Sequence, residues 1–141
     1  MAHKILIVDD EVNVLFVVKQ AFAGQVEVLT AQTGAAGLEI IQREKPSFVF
    51  LDIAMPGISG IKVLELIQGL DVSPVVWMLT GDEDLDTASQ ALAGGASGYL
   101  TKPFDLERLR GVVFNALLDL EKDRKETLNE DKPWHVKKPK K

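Results

Sequence analysis

No cysteine occurs among the 141 residues, so disulfide frameworks, thiolate metal sites and thiol nucleophiles are all excluded. A reducing compartment suits such a chain, and the cytoplasm is the default expectation. Histidine is nearly as scarce, with His3 expected to be an exposed N-terminal residue and His135 close to the other end. No apolar run approaches the ~20 residues that span a bilayer, and Asp9-Asp10-Glu11 arrives too soon after Ile5-Leu6-Ile7-Val8 for a signal peptide. Membrane insertion is therefore not expected. Positive charge is also short, 16 Lys and Arg against 21 Asp and Glu, and the shortage is uneven. Residues 1–120 carry 8 against 16, a net charge of −8, whereas residues 121–141 carry 8 against 5, a net charge of +3. Binding to a nucleic-acid backbone rests on Lys and Arg neutralising phosphates, so the acidic body argues against direct nucleic-acid binding.

What the chain does have is a 46% hydrophobic content, enough for one domain with a substantial core. Short apolar runs alternate with helical patterns up to about Leu120. Val14, Leu15, Val18, Ala21 and Phe22 recur at helical spacing within Glu11 to Phe22, and Leu38, Ile40 and Ile41 do so between Ala35 and Arg43. Ser59 precedes a third helix carrying Ile61, Val63, Leu64 and Ile67. Asp82 to Ala93 offers an acidic first turn and ends at Gly94-Gly95. Asp105 is the expected N-cap of the last helix, whose apolar stripe runs from Leu106 to Leu120. Strand then helix, five times over, predicts an α/β fold: a five-stranded parallel sheet with helices on both faces. Right-handed crossovers favour the flavodoxin-like order 2-1-3-4-5, in which strands 1 and 3 are neighbours.

Polar residues sit where the apolar runs stop. Asp9 and Asp10 follow Val8, Asp52 follows Phe48-Val49-Phe50-Leu51, Thr80 follows Val75-Val76-Trp77-Met78-Leu79, and Lys102 follows Gly98-Tyr99-Leu100-Thr101. In an open parallel sheet, ligands bind outside the carboxyl ends of the strands where the order reverses, which here gathers Asp9, Asp10 and Asp52. Converging carboxylates repel one another without a cation, and an all-oxygen set without His or Cys points to Mg²⁺, with Mn²⁺ as a substitute. Lys102 adds a positive charge and Thr80 a hydroxyl donor, a combination suited to spreading charge off a transferring phosphoryl group. Without cysteine, and with both histidines outside the cluster, a carboxylate is left as nucleophile, and Asp52 is the best placed.

Four segments in order, Val8-Asp9-Asp10-Glu11, Leu51-Asp52-Ile53-Ala54-Met55-Pro56-Gly57, Leu79-Thr80-Gly81 and Tyr99-Leu100-Thr101-Lys102-Pro103-Phe104, resemble the receiver domain of two-component response regulators, the CheY-like superfamily. The resemblance covers residues 4 to about 120. It implies that Asp52 accepts a phosphoryl group from a histidine kinase or a histidine phosphotransfer protein. It further implies that Asp10, Asp52 and the Ala54 backbone carbonyl ligate Mg²⁺, with Asp9 acting largely through water. Thr80 and Tyr99 would form the switch, passing phosphorylation on to a surface made by the fourth helix, fifth strand and fifth helix, where a downstream protein or a second copy would bind. The Lys102-Pro103 bond is often cis in this family. Such a domain is a signalling receiver that assists its own phosphorylation and dephosphorylation, rather than an enzyme acting on other substrates.

Three rivals stand beside this reading. An aspartate-nucleophile phosphatase of the haloacid dehalogenase type would need a second Asp two residues after the nucleophile, where this chain has Ala54, and its nucleophile on the first strand. A flavodoxin-like cofactor binder would need a Gly-rich or Ser/Thr-rich phosphate loop after Val8, where Asp9-Asp10-Glu11 stands instead. A degenerate receiver serving as a scaffold would not need the full set of acidic residues, Thr and Lys. The expected receiver spans residues 1–121. Residues 122–141 lose the apolar periodicity and are expected to form a charged helix extension and a basic tail, with Trp134 as a potential anchor and no second domain. A linker joining a receiver to an output domain of a larger regulator would read the same way.

Overall fold

Alternation along the two central strands decides the architecture. In β1 (Lys4–Val8) and β3 (Phe48–Asp52), successive side chains point to opposite faces. Ile5, Ile7, Phe48 and Phe50 enter one core, and Leu6, Val8, Val49 and Leu51 enter another. Strands buried on both faces require helices over both. The computed structural model describes residues 3–71, 73–81 and 85–129, with side chains described as far as residue 122. In it β2 (Glu27–Ala31), β4 (Val75–Thr80) and β5 (Gly98–Thr101) complete a five-stranded sheet in the order β2-β1-β3-β4-β5, with every pairing parallel. The expected flavodoxin-like α/β fold is the observed one.

Helices α1 (Val12–Ala21) and α5 (Leu106–Asn129) cover one face. Leu15 and Val18 of α1, the adjoining Phe22, and Leu109, Val113 and Leu117 of α5 meet Ile5, Ile7, Phe48 and Phe50 there. On the other face, α2 (Gly34–Glu44), α3 (Gly60–Gln68) and α4 (Leu85–Ala93) supply Ile41, Val63, Leu64, Ile67, Ala88 and Ala91. Each fully buried Phe, Ile or Leu contributes roughly 1.5–3 kcal/mol. These two cores therefore fix the strand ends that carry the polar residues.

The helix starts reflect capping chemistry. Ser59 Oγ accepts from Lys62 N at 3.3 Å, Thr33 Oγ1 accepts from Ala36 N at 3.1 Å, and Asp105 Oδ1 accepts from Glu107 N at 2.9 Å. Ser59 and Asp105 thus act at the helix starts that the sequence assigns to them. α4 begins at Leu85 with Asp86 in its first turn; Asp82, Glu83 and Asp84, expected in that turn, lie outside the described residues. α5 continues nine residues beyond the end of the apolar stripe, because the Glu, Lys and Arg after Leu120 are good helix formers without needing a core. The basic tail and Trp134 lie outside the described residues.

One expectation needs correction. His3 is not an exposed end residue: it is half-buried, with Nδ1 3.0 Å from Ser47 Oγ and Nε2 3.1 Å from Glu121 Oε1. Parallel pairing sets the starts of β1 and β3 side by side, and α5 runs back over them, so residues far apart in sequence meet at this end of the sheet. Trp77 is partly buried and packs against the core on the α1 and α5 face, with its indole so close to Gly98 that an added Cβ there would come within 2.6 Å of the ring.

Candidate functional site

The sheet ladder extends into the loops that carry the site. Asp9 N donates to Ala31 O at 3.0 Å, Ile53 N to Leu79 O at 3.0 Å, and Lys102 N to Thr80 O at 2.7 Å. The backbones at three strand ends are thereby fixed relative to one another. Each of two aspartates then bonds to its own loop: Asp9 Oδ1 accepts from Glu11 N at 2.9 Å, and Asp52 Oδ1 accepts from Ala54 N at 3.2 Å. Such Asx turns spend one carboxylate oxygen on positioning and leave the other free. Both free oxygens face Lys102.

Lys102 Nζ lies 2.8 Å from Asp9 Oδ2, 3.2 Å from Glu11 Oε1 and 3.5 Å from Asp52 Oδ2. Asp9 is fully buried and Asp52 is 4% exposed, whereas Asp10 is exposed at the rim. Carboxylate oxygens of Asp9, Asp10 and Asp52 fall within 4.8 Å of one another. With Glu11, the crevice and its rim hold four carboxylates against one ammonium, leaving an excess of negative charge that a divalent cation would neutralise. One atom makes the need specific. Asp9 Oδ2 is buried and, despite its ion-pair contact with Lys102, has no hydrogen-bond donor in good geometry among the described residues; such a group is costly unless an ion or water completes it. The donors fit a hard cation with oxygen ligands.

The electrostatics agree with this. Burial, and then the neighbouring Asp9 charge, push the Asp52 carboxyl up to about 7, against the opposing pull of Lys102 and the Ala54 N–H. Burial opposes the charge on Lys102, but its contacts with Asp9, Asp52 and Glu11 outweigh that and hold its pKa above the ordinary lysine value. An Asp52 that resists ionisation beside a lysine that does not is a site awaiting more positive charge.

Of the residues singled out in the sequence, the structure brings Asp9, Asp10, Asp52 and Lys102 into one crevice. Ala54 stands beside them, its N–H already engaged by Asp52. Thr80 is buried at the neighbouring strand end, with its hydroxyl donating to Gly81 O at 3.0 Å. Tyr99 is 36% exposed and points away from the crevice, lining an open groove of about 710 Å³ between α4, β5 and α5 with Trp77, Leu85, Leu92, Phe104 and Arg108. The Lys102-Pro103 bond is cis. Sequence reasoning missed Glu11 as a partner of Lys102. The signal was its place in the acidic run, but that position also starts α1 and read as capping; in the structure Glu11 makes no side-chain cap bond.

A parallel α/β sheet whose central strand ends present two buried carboxylates, a third at the rim and a lysine is the arrangement of a receiver-type domain. The chain belongs to the response regulator receiver domain family, whose family model matches residues 5–114. It is 32% identical over 114 residues to sporulation initiation phosphotransferase F of Bacillus subtilis (strain 168), a match taking in 80% of this chain and 92% of that protein. It is 39% identical over 116 residues to regulatory protein AtoC of Escherichia coli (strain K12), taking in 82% of this chain and 25% of that protein. The chain thus spans nearly all of one curated relative and a quarter of the other. Among solved structures, a CheY-like response regulator receiver domain protein from Methanospirillum hungatei JF-1 superposes with a TM-score of 0.81 at 31% identity, covering 87% of this chain and 99% of that one.

Proposed function

We propose that the protein is a phosphoacceptor of a two-component phosphorelay, in which Asp52 takes a phosphoryl group from the phosphohistidine of a histidine kinase or histidine phosphotransfer protein. The observation that carries this reading is the disposition of Asp52: one oxygen fixed by the Ala54 N–H, the other open to a crevice that holds Lys102 and two more aspartates. Asp52 Oδ2 attacks phosphorus, the bond from phosphorus to the histidine nitrogen breaks, and its electron pair returns to the imidazole, which takes up a proton. Lys102 meets the charge arriving on the phosphoryl oxygens.

Asp10, Asp52 and the Ala54 carbonyl are the proposed Mg²⁺ ligands, with Asp9 acting through water. When bound, the cation supplies charge neutralisation for the transferring group. Thr80 then exchanges its bond to Gly81 for one to a phosphoryl oxygen, and Tyr99 turns inward from its exposed position. That rearrangement alters the groove between α4, β5 and α5, the proposed contact surface for a downstream protein or a second copy. The acidic body supports output by protein contact in a cytoplasmic setting, rather than nucleic-acid contact by the receiver itself.

The assignment is tested by incubating the protein with acetyl phosphate and Mg²⁺, reducing the acyl phosphate with borohydride and mapping the peptides. Conversion confined to Asp52 is expected; conversion at another aspartate, or none, contradicts it.

A further inference from the structure

Lys102 is shared among three carboxylates, and the nearest is not the one it must serve. Its Nζ is 2.8 Å from Asp9 Oδ2 and 3.2 Å from Glu11 Oε1, yet 3.5 Å from Asp52 Oδ2. Asp9 is bound into the site by its Asx turn and full burial. Glu11 differs: it is 61% exposed on its side chain, it is not among the carboxylates clustered as a cation site, and it stands at the start of α1 without capping it. The described polar contact of its side chain is the one to Lys102. A carboxylate that neither caps a helix nor faces the cation cluster, but takes a hydrogen bond from the lysine, has one evident effect: it draws the ammonium toward the rim of the crevice.

We infer that Glu11 is a positioning residue that holds Lys102 away from Asp52 in the unphosphorylated protein, so that phosphoryl transfer requires the Lys102–Glu11 contact to give way. This rests on the receiver reading above. When a phosphoryl group arrives at Asp52, the lysine finds a stronger partner in its oxygens and leaves Glu11. Glu11 thus sets part of the barrier to phosphorylation and part of the resistance of the site to spurious small-molecule phosphodonors. Because the contact is partly exposed, its effect is that of a surface ion pair, a few-fold at most. It is also screened by salt.

The test compares wild type with Glu11→Gln and Glu11→Asp, measuring the rate of Asp52 labelling by acetyl phosphate in saturating Mg²⁺ at low and high salt. Glu11→Asp keeps the charge but withdraws the carboxylate by one methylene, separating contact from local charge. Both variants are expected to label about 1.4–5-fold faster than wild type at low salt, the range that surface pairing energies allow, and the gain should shrink as salt rises. A gain in Glu11→Gln alone would overturn the positioning role in favour of a diffuse charge effect, and no gain in either would overturn it outright. As a readout independent of turnover, a double-mutant cycle of Glu11→Gln with Lys102→Met in cation-free urea unfolding should show non-additive midpoints; additive midpoints would deny the contact. Failure of wild type itself to label at Asp52 would reject the receiver reading instead. Glu11 makes no cap bond, so the substitutions leave the start of α1 intact, and circular dichroism checks this.

Discussion

Asp52 carries most of the functional argument, and its titration carries a prediction of its own. With its carboxyl pushed up to about 7 from 3.8, the folded protein keeps this proton through a range in which the unfolded chain has released it. The stabilising contribution is therefore fully present below about pH 4 and is lost as pH rises through about 7. A divalent cation favours the ionised carboxylate, so its benefit should run the other way. Thermal unfolding in EDTA and in MgCl₂ is expected to show a gap that widens from pH 5 to pH 8; a constant gap would place the cation elsewhere. Asp9, Asp10, Asp52 and Lys102 were legible in the sequence because each stands at the end of an apolar strand. Glu11 was not, since an acidic residue at a helix start has a commoner explanation, and only the Lys102 distance distinguishes the two. Nor could the sequence show that the Thr80 hydroxyl bonds to Gly81.

At the scale of elements, the junction between β3 and α3 is the tightest part of the site. An added Cβ at Gly60 would stand 2.2 Å from Asp52 O and 2.8 Å from Ile53 Cα, both backbone atoms that cannot swing aside. Helix propensity alone favours Gly→Ala by up to ~1 kcal/mol. Overpacking costs roughly 1–3 kcal/mol and here falls on backbone, so the steric effect should win. Gly60→Ala is expected to be destabilised by about 2 kcal/mol in urea unfolding and to label more slowly at Asp52; a neutral or stabilised variant would contradict the packing account. Legibility differed among elements for physical reasons. The doubly buried β1 and β3 announce themselves as apolar runs, whereas β2 is an edge strand with partly exposed positions and a mixed Glu-Val-Leu-Thr-Ala sequence. The contact of His3 with Ser47 and Glu121 depends on α5 returning beneath the sheet, which local periodicity cannot report.

The whole molecule joins two cores through one sheet, with the acidic crevice around Lys102 at one end of that sheet and the His3, Ser47 and Glu121 cluster at the other. Among the described residues both cores end by Leu120, and we propose that the receiver folds without residues 123–141. A chain ending after Lys122 is expected to unfold in one transition near the wild-type midpoint and to keep its Mg²⁺-dependent labelling; loss of either would give residues 123–141 a part in the fold or the site. Fold and site class were readable because alternation, capping and the positions of strand ends all reflect the same parallel topology, as expected of a consistent sequence. The charge contrast between body and tail was equally visible, but a charge difference names no partner. The central claim is most directly tested by intact mass measurement of wild type and Asp52→Asn after exposure to acetyl phosphate, with and without Mg²⁺. A single added phosphoryl group on wild type, dependent on Mg²⁺ and absent from Asp52→Asn, is the predicted result; equal labelling of the variant would contradict the account.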